Sequence, residues 1–122
     1  MPDLENLKTL FPIFQNAEIG CQPGWYDLLV DLGLDLSIYA ERHNLTPTIS
    51  LVRSKFGELR VWIRCPDATD RQWEAIQDIE AQHYAISKTV CEQCGRKGRR
   101  VTVDGAIFTL CKACHHLKRC NS

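Results

Sequence analysis

The chain has 122 residues, of which 44% are hydrophobic and 25% charged, a composition typical of a protein with one modest core. No apolar run approaches the roughly 18 residues of a membrane span, and the acidic opening Met1–Glu5 is unlike an export signal, so we expect a cytoplasmic protein. The overall charge of +0 hides an asymmetry, because residues 1–90 carry 8 Lys and Arg against 13 Asp and Glu, whereas residues 91–122 carry 7 against 2.

Two helices are predicted before residue 44. Asp3–Phe11 has apolar residues at helical spacing and stops at Pro12, and a loop at Gly20–Gly24 then leads into an amphipathic helix over Trp25–His43. We expect the apolar stripe of the second helix to be buried, and its members are Trp25, Leu28, Leu29, Leu32, Leu36 and Tyr39.

The opposite side of the second helix is acidic. Asp27, Asp31 and Asp35 are spaced four apart, and like charges at that spacing cost a helix roughly 0.2–0.5 kcal/mol per pair. The stripe is compatible with a solvated face and with a docking face for a basic partner. Trp25 is a further candidate contact for a protein partner if its ring is exposed.

After Pro47 the apolar period changes to two, which predicts a β-hairpin over residues 48–65 with its turn at Lys55–Glu58. One face of the second strand reads Arg60, Trp62 and Arg64, which offers the charges and the ring that single-stranded nucleic acid binding uses. We expect instead that Trp62 packs under a helix, because a two-stranded ribbon needs cover on at least one face.

The next helix begins with a capping box. The Thr69 hydroxyl is expected to accept from the N–H of Gln72, whose side chain reaches back to Thr69. The helix continues to about Lys88 and is expected to cover the hairpin. Its predicted inner stripe consists of Trp73, Ile76, Ile79, His83 and Ile86.

The basic end contains two cysteine pairs. Cys91 and Cys94 form the first pair, and Cys111 and Cys114 form the second, each with two intervening residues. Four thiolates at about 2.3 Å complete the tetrahedral shell of a zinc ion and leave no position open for catalysis. The sequence therefore predicts one structural zinc ion bound by these four cysteines.

Between the pairs, Asp104-Gly105 predicts a tight turn that joins strands at 99–103 and 106–110. The second pair then opens a helix at about 110–119, whose free N–H groups stabilise thiolates. This order is typical of a treble-clef zinc module: a turn that carries the first cysteine pair, a hairpin, and a helix that carries the second pair.

Other uses of these cysteines fit the sequence less well. Disulfides and covalent haem at Cys111–His115 both require export, and 7 cysteines is an odd number for a bridged framework. One pair alone could be a redox dithiol, but two pairs on either side of a hairpin favour a metal site. Replacement of one ligand by His115, His116 or Cys120 stays open, because spacing does not exclude it.

The run Leu110–Cys114 and the spacing of the first pair resemble GATA-type zinc fingers, which bind DNA in the major groove. The resemblance implies a similar presentation of the hairpin and of the start of the helix. The candidate nucleic-acid contacts are the basic residues of this end, which are Arg96, Lys97, Arg99, Arg100, Lys112, Lys118 and Arg119.

Three blocks, Cys21–Leu28, Lys55–Arg60 and Cys91–Gly95 with the later cysteine pair, resemble a set of small zinc-knuckle proteins of bacteria and their phages. The resemblance spans roughly residues 21–114. It implies a mobile-element origin and assigns no activity to any residue.

These patterns predict an α+β fold with helices packed on a β-hairpin. We expect a body at 1–88 and a zinc module at 89–122 packed on it, because no Gly/Ser/Pro-rich linker separates them. Phosphate-loop, metalloprotease and serine-hydrolase motifs are absent from the sequence. A nucleophilic Cys21, Cys65 or Cys120 would need a nearby base, for which His43 and His83 are the candidates, but the sequence does not place them beside a thiol. We therefore expect no enzyme and no small-molecule substrate.

The first functional expectation is a zinc-stabilised interaction or regulatory protein of phage or prophage origin that acts on a host protein or protein–nucleic-acid machine. The alternative is a nucleic-acid-binding protein that uses the basic zinc module. The acidic body favours the first, because phosphate repels it. The candidate protein contacts are Trp25, Asp27, Asp31, Asp35 and Trp62.

Overall fold

The computed structural model describes residues 3–120 and is mixed α+β, with small sheets and packed helices as predicted. The helices are α1 (Asn6–Leu10), α2 (Tyr26–His43), α3 (Asp70–Ser87) and α4 (Lys112–Cys120), with 3₁₀ turns at Pro12–Phe14 and Pro23–Trp25. The strands are β1 (Glu18–Gly20), β2 (Thr48–Lys55), β3 (Glu58–Arg64), β4 (Arg99–Val103) and β5 (Ala106–Leu110). The predicted unit boundary near residue 88 stays a prediction.

The first sheet has three strands rather than the predicted two. Its order is β1-β2-β3, with β1 parallel to β2 and β3 antiparallel to it. Three residues are too few for β1 to show an alternating pattern, so the sequence did not reveal it. The second sheet is the β4-β5 hairpin, whose turn places Asp104 at φ 51° and Gly105 at φ 80°. These angles match the predicted tight turn.

The predicted apolar stripe of α2 faces the core. Leu29, Leu32 and Leu36 are almost fully buried. Trp25 is also fully buried, and its Nε1–H donates to the carbonyl oxygen of Val90 at 2.9 Å. The suggestion that Trp25 contacts a partner is therefore wrong, because its ring packs in the core and its one polar atom bonds within the chain.

The capping box at the start of α3 is confirmed, since Thr69 and Gln72 exchange both expected bonds. Ile76 and His83 are buried, but Ile86 is 47% exposed, so that part of the predicted stripe is wrong. Ser87 is buried in its place, because α3 lies along the edge of β3 and the Ser87 hydroxyl accepts the backbone N–H of Leu59 at 3.0 Å.

His83 links α3 to α2. Its Nδ1 lies 2.7 Å from the carbonyl oxygen of Ile79, and its Nε2 lies 3.3 Å from a carboxylate oxygen of Asp35. Both ring nitrogens of this buried histidine are thus satisfied within the fold. One of the three aspartates of the acidic stripe is consequently engaged in packing the two helices, while Asp27 and Asp31 are exposed.

None of the helices within residues 3–120 combines the length and the apolar character that crossing a bilayer requires.

Candidate metal centre and the basic face beside it

The sulfur atoms of Cys91, Cys94, Cys111 and Cys114 all lie within 4.8 Å of one another, and those of Cys94 and Cys111 are 3.5 Å apart. Metal–sulfur bonds of about 2.3 Å in a tetrahedron separate the sulfurs by about 3.8 Å. The four thiols therefore lie close enough to bind one metal ion. Cys91 is fully buried and Cys111 nearly so, whereas Cys94 is exposed.

Local backbone geometry gathers the sulfurs. The N–H of Gly95 donates to the carbonyl oxygen of Cys91 at 2.9 Å, and the N–H of Cys91 donates to that of Arg96 at 2.7 Å. Gly95 has φ +83°, a conformation that favours glycine. At the second pair, the N–H of Cys114 donates to the Cys111 sulfur at 3.4 Å and lowers the pKa of that thiol to about 7. This bond favours the thiolate that a metal requires.

Within residues 3–120, the group of side chains that lies close enough to hold a metal ion consists of these four cysteines. The alternative ligands His115, His116 and Cys120 lie outside it. Cys120 instead lies with its sulfur 3.7 Å from Nε2 of His116, on the exposed surface of α4. His115 is partly buried.

The turn at Cys91–Cys94 is packed closely against the loop before α2. The N–H of Gly24 donates to the carbonyl oxygen of Glu92 at 2.7 Å. A Cβ atom at Gly24 would lie 2.2 Å from the carbonyl oxygen of Cys91, so only glycine fits there. Gly24, the glycine of the Cys21–Leu28 block, therefore allows the close packing of this loop on the Cys91–Cys94 turn.

The β2-β3 turn meets the same region. The Thr109 hydroxyl donates to the carbonyl oxygen of Gly57 at 2.6 Å, and Gly57 is buried against the backbone of Phe108 and Thr109. Three sequence blocks that are far apart along the chain, at 21–28, 55–60 and 91–95, therefore converge around the four cysteines.

A cluster of charge occupies the outer side of this junction. Glu58 is only 8% exposed and accepts a hydrogen bond from the Tyr84 hydroxyl. Its carboxylate oxygens lie 3.3 Å from Arg60 Nη2, 3.5 Å from Lys88 Nζ and 3.9 Å from Arg100 Nη2. We call these four charged residues the Glu58 cluster; it holds three cations and one carboxylate.

The Tyr84 hydrogen bond, together with Lys88, Arg100 and Arg60, holds the pKa of Glu58 below its ordinary value against the opposing effect of burial. The carboxylate is therefore ionised at neutral pH and the cluster carries a net charge of +2. Arg60 Nε is buried and has no hydrogen-bond partner within residues 3–120. The cations are thus only partly neutralised by the fold.

Trp62 lies on the outer face of β3, between Arg60 and Arg64, and is 49% exposed. The expectation that a helix covers Trp62 is therefore wrong. The helices pack on the other face of the sheet, where Val52 and Val61 are buried in one core with Ile76 of α3, and Ser87 at the end of α3 binds the N–H of Leu59 at the edge of β3. Arg53 stands opposite Arg60 in the pairing and is also exposed.

The predicted basic contacts at the C-terminal end of the chain are all exposed or partly exposed. Of these, Arg100 reaches the Glu58 cluster, and Lys118 lies over the ring of Phe108 with Nζ 4.4 Å from its centroid. The exposed members are Arg96, Lys97, Arg99, Arg100, Lys112 and Arg119.

The structure adds basic residues that the sequence did not single out. Lys88 and Arg53 join the surface, because α3 and β2 bring them beside β3. Phe56 is 54% exposed at the tip of the β2-β3 turn. The sequence did contain a signal for Phe56, because it stands directly before glycine in a two-residue turn, where asparagine, aspartate or glycine is preferred.

The thiols of Cys21, which is partly buried, and of Cys65, which is buried, are held in the neutral form. Burial raises the pKa of Cys21 to about 12, and burial together with a hydrogen bond to Asp67 raises that of Cys65 to about 11. Thiols with such pKa values are poor nucleophiles at neutral pH.

Comparison with known proteins finds no matching family model, no similar curated protein and no similar solved structure.

Proposed function

We propose that this chain is a non-enzymatic, zinc-stabilised protein that binds single-stranded nucleic acid on the outer face of β3 and the adjoining Glu58 cluster. The observation that carries the proposal is the exposed Trp62 ring between Arg60 and Arg64. Stacking of bases on such rings, with arginines on the phosphates, is how many proteins hold unpaired strands.

Zinc is the metal that suits the quartet. Four thiolates in tetrahedral arrangement are the ligand set of structural zinc sites, in which no position is left for substrate. The order of cysteine turn, β4-β5 hairpin and α4 supports a treble-clef-like module. In this proposal the ion fixes the β4-β5 hairpin, and the hairpin in turn supports the β2-β3 turn through Thr109 and Gly57.

Charge supports an anionic partner. The Glu58 cluster has an excess of two positive charges, and Arg53 and Arg64 extend the positive surface along the sheet. A phosphate beside Arg60, Lys88 and Arg100 would release counterions and strengthen binding. The acidic stripe of α2 is a separate surface, so the net negative charge of residues 1–90 is compatible with local attraction of phosphate.

The exposed ring favours a single strand over a duplex. Bases in a duplex are stacked on one another, so Trp62 could reach a base face only after costly unstacking. An unpaired strand presents base faces freely, and stacking is tolerant of base identity. We therefore expect weak sequence preference.

A protein partner is the second candidate function. The exposed Leu34 and Ile38 continue the line of Asp27 and Asp31 along α2 at helical spacing. Exposed apolar side chains bordered by carboxylates suit a partner segment that has basic residues around an apolar one. A phage-borne regulator of a host protein would use this face.

The test is fluorescence anisotropy with labelled oligo-dT, oligo-rU and a duplex of matched length at about 50 mM salt. We expect micromolar binding of the single strands, weaker binding of duplex and a salt slope of about −2, as for three neutralised phosphates. Trp62→Ala should weaken binding about tenfold. Leu34→Ala and Arg42→Ala, exposed changes on α2, are the controls and should have no effect.

If the wild-type protein binds neither strand nor duplex, the nucleic-acid proposal is wrong. Capture of a host protein that depends on Leu34 and Asp31, and is indifferent to Trp62, would then support the second candidate.

A further inference from the structure

The turn between β2 and β3 contains an unusual backbone conformation. Phe56 has φ 56° and Gly57 has φ 75°, so a bulky residue occupies the left-handed region at the first position of a two-residue turn. Asparagine, aspartate or glycine is preferred there, because a Cβ substituent in this region crowds the backbone.

Burial does not compensate for this strain. The Phe56 side chain is 54% exposed, so most of its apolar surface remains in water. Residues that the surrounding structure holds in such sparsely populated backbone conformations are concentrated at functional sites.

The surroundings of Phe56 are those of a ligand site. On one side Phe56 lines a cavity of about 190 Å³ that also includes Phe108, Lys118 and Glu92. On another side it lines a smaller cavity of about 70 Å³ with Lys88 and Arg100, whose charges exceed that of Glu58 in the same lining. Lys55 Nζ lies 5.7 Å from the ring centroid. An exposed ring with cations around it is suited to a base and its flanking phosphates.

The conformation of the β2-β3 turn is imposed by the β4-β5 hairpin. The Thr109 hydroxyl binds the carbonyl oxygen of Gly57, and a Cβ atom at Gly57 would lie 2.7 Å from the carbonyl carbon of Phe108. The turn therefore cannot relax without moving away from β5. This restraint fixes the direction in which the Cα–Cβ bond of Phe56 leaves the turn.

We propose that Phe56 is a base-stacking residue, a second platform that binds a different base of the same strand as Trp62. The inference rests on the proposed nucleic-acid function. Phe56 lies in the turn just before Glu58, the first residue of β3. From Glu58 to Trp62 the strand spans about 13 Å at 3.3 Å per residue, so the rings of Phe56 and Trp62 are too far apart to share one base.

The decisive variant is Phe56→Asn, which places a preferred residue in the left-handed position and removes the ring. We expect its melting temperature to rise and its affinity for oligo-dT to fall about tenfold. Phe56→Tyr keeps a ring and should retain wild-type affinity. If Phe56 served only to stabilise the fold, Phe56→Asn would lower the melting temperature instead of raising it.

An abasic scan identifies the base involved. In an oligonucleotide no longer than the binding site, so that the strand cannot shift its register, one abasic position should remove the affinity difference between wild type and Phe56→Asn, and another position should remove the difference for Trp62→Ala. If Phe56→Asn binds every oligonucleotide as wild type does while Trp62→Ala is weakened, Phe56 is no contact, although the proposed function stands. If the wild-type protein binds no strand, both are overturned.

Discussion

The carboxylate of Glu92 accepts a hydrogen bond from the hydroxyl of Ser54 at 2.6 Å, across 38 residues of sequence. Its other oxygen accepts the backbone N–H of Thr109 at 2.7 Å, and the residue is only 3% exposed. Because Glu92 follows Cys91 directly, this one side chain ties the metal-binding turn to β2 and to β5. A residue beside the cysteine quartet thus connects the Cys91 turn to the sheet that carries Trp62.

Glu92→Ala should destabilise the protein by about 1.5–3 kcal/mol, because it removes both carboxylate oxygens and leaves the buried backbone N–H of Thr109 without an acceptor. Urea denaturation of the zinc-loaded protein measures the change. Ser54→Ala removes only one of the bonds and should cost about 1 kcal/mol. Equal costs for the two variants would show that the Thr109 bond contributes little.

Gly24→Ala should prevent stable folding or cost about 3 kcal/mol or more. Its Cβ atom would lie 2.2 Å from the carbonyl oxygen of Cys91 and 2.4 Å from that of Glu92, and backbone atoms cannot rotate away. Thermal unfolding and zinc content provide the measurement. The matched control is Gly20→Ala, whose Cβ would meet Val52 at an ordinary 3.5 Å and should be close to neutral.

Protein purified without added metal should contain one zinc ion per chain by elemental analysis, because the quartet offers one closed tetrahedral shell. Removal with a chelator should lower the melting temperature, since the metal stabilises only the folded chain. Cys114→Ser should reduce zinc content, whereas Cys65→Ser should leave it unchanged. An iron–sulfur chromophore, or four free thiols with no metal, would contradict the assignment.

Ile76→Ala should cost about 2–4 kcal/mol, because the side chain is only 2% exposed and its removal leaves a cavity between α3 and the sheet. Ile86→Ala on the same helix is the control, and with 47% exposure it should change the free energy of unfolding by less than about 0.5 kcal/mol. Similar costs at both positions would mean that α3 is rotated from the orientation described.

Glu58→Gln should remove a pH-dependent contribution to stability. The pKa of Glu58 is lower in the folded chain than its ordinary value of about 4.3, so its contribution is fully present above that ordinary value. The contribution is lost as the pH falls through the folded pKa. The stability difference between wild type and variant should therefore be largest near pH 7 and shrink below about pH 4. A constant difference across this range would exclude the linkage.

Much of the local structure follows from the sequence alone. The spacing of Cys91, Cys94, Cys111 and Cys114 specifies a metal quartet because two-residue gaps let paired sulfurs converge. The Thr69 capping box and the Asp104-Gly105 turn were also predictable, because each depends on residues that are neighbours in the chain.

Tertiary packing decided the rest. Whether Trp25 or Trp62 was exposed depended on which face of each element meets another element, and periodicity gives two faces without saying which is covered. Ser87 rather than Ile86 is buried because an unpaired N–H at the edge of β3 needs an acceptor, a demand that arises only when α3 lies beside that edge. The Glu58 cluster likewise joins residues from β3, β4 and the C-cap of α3, so no local pattern could have assembled it.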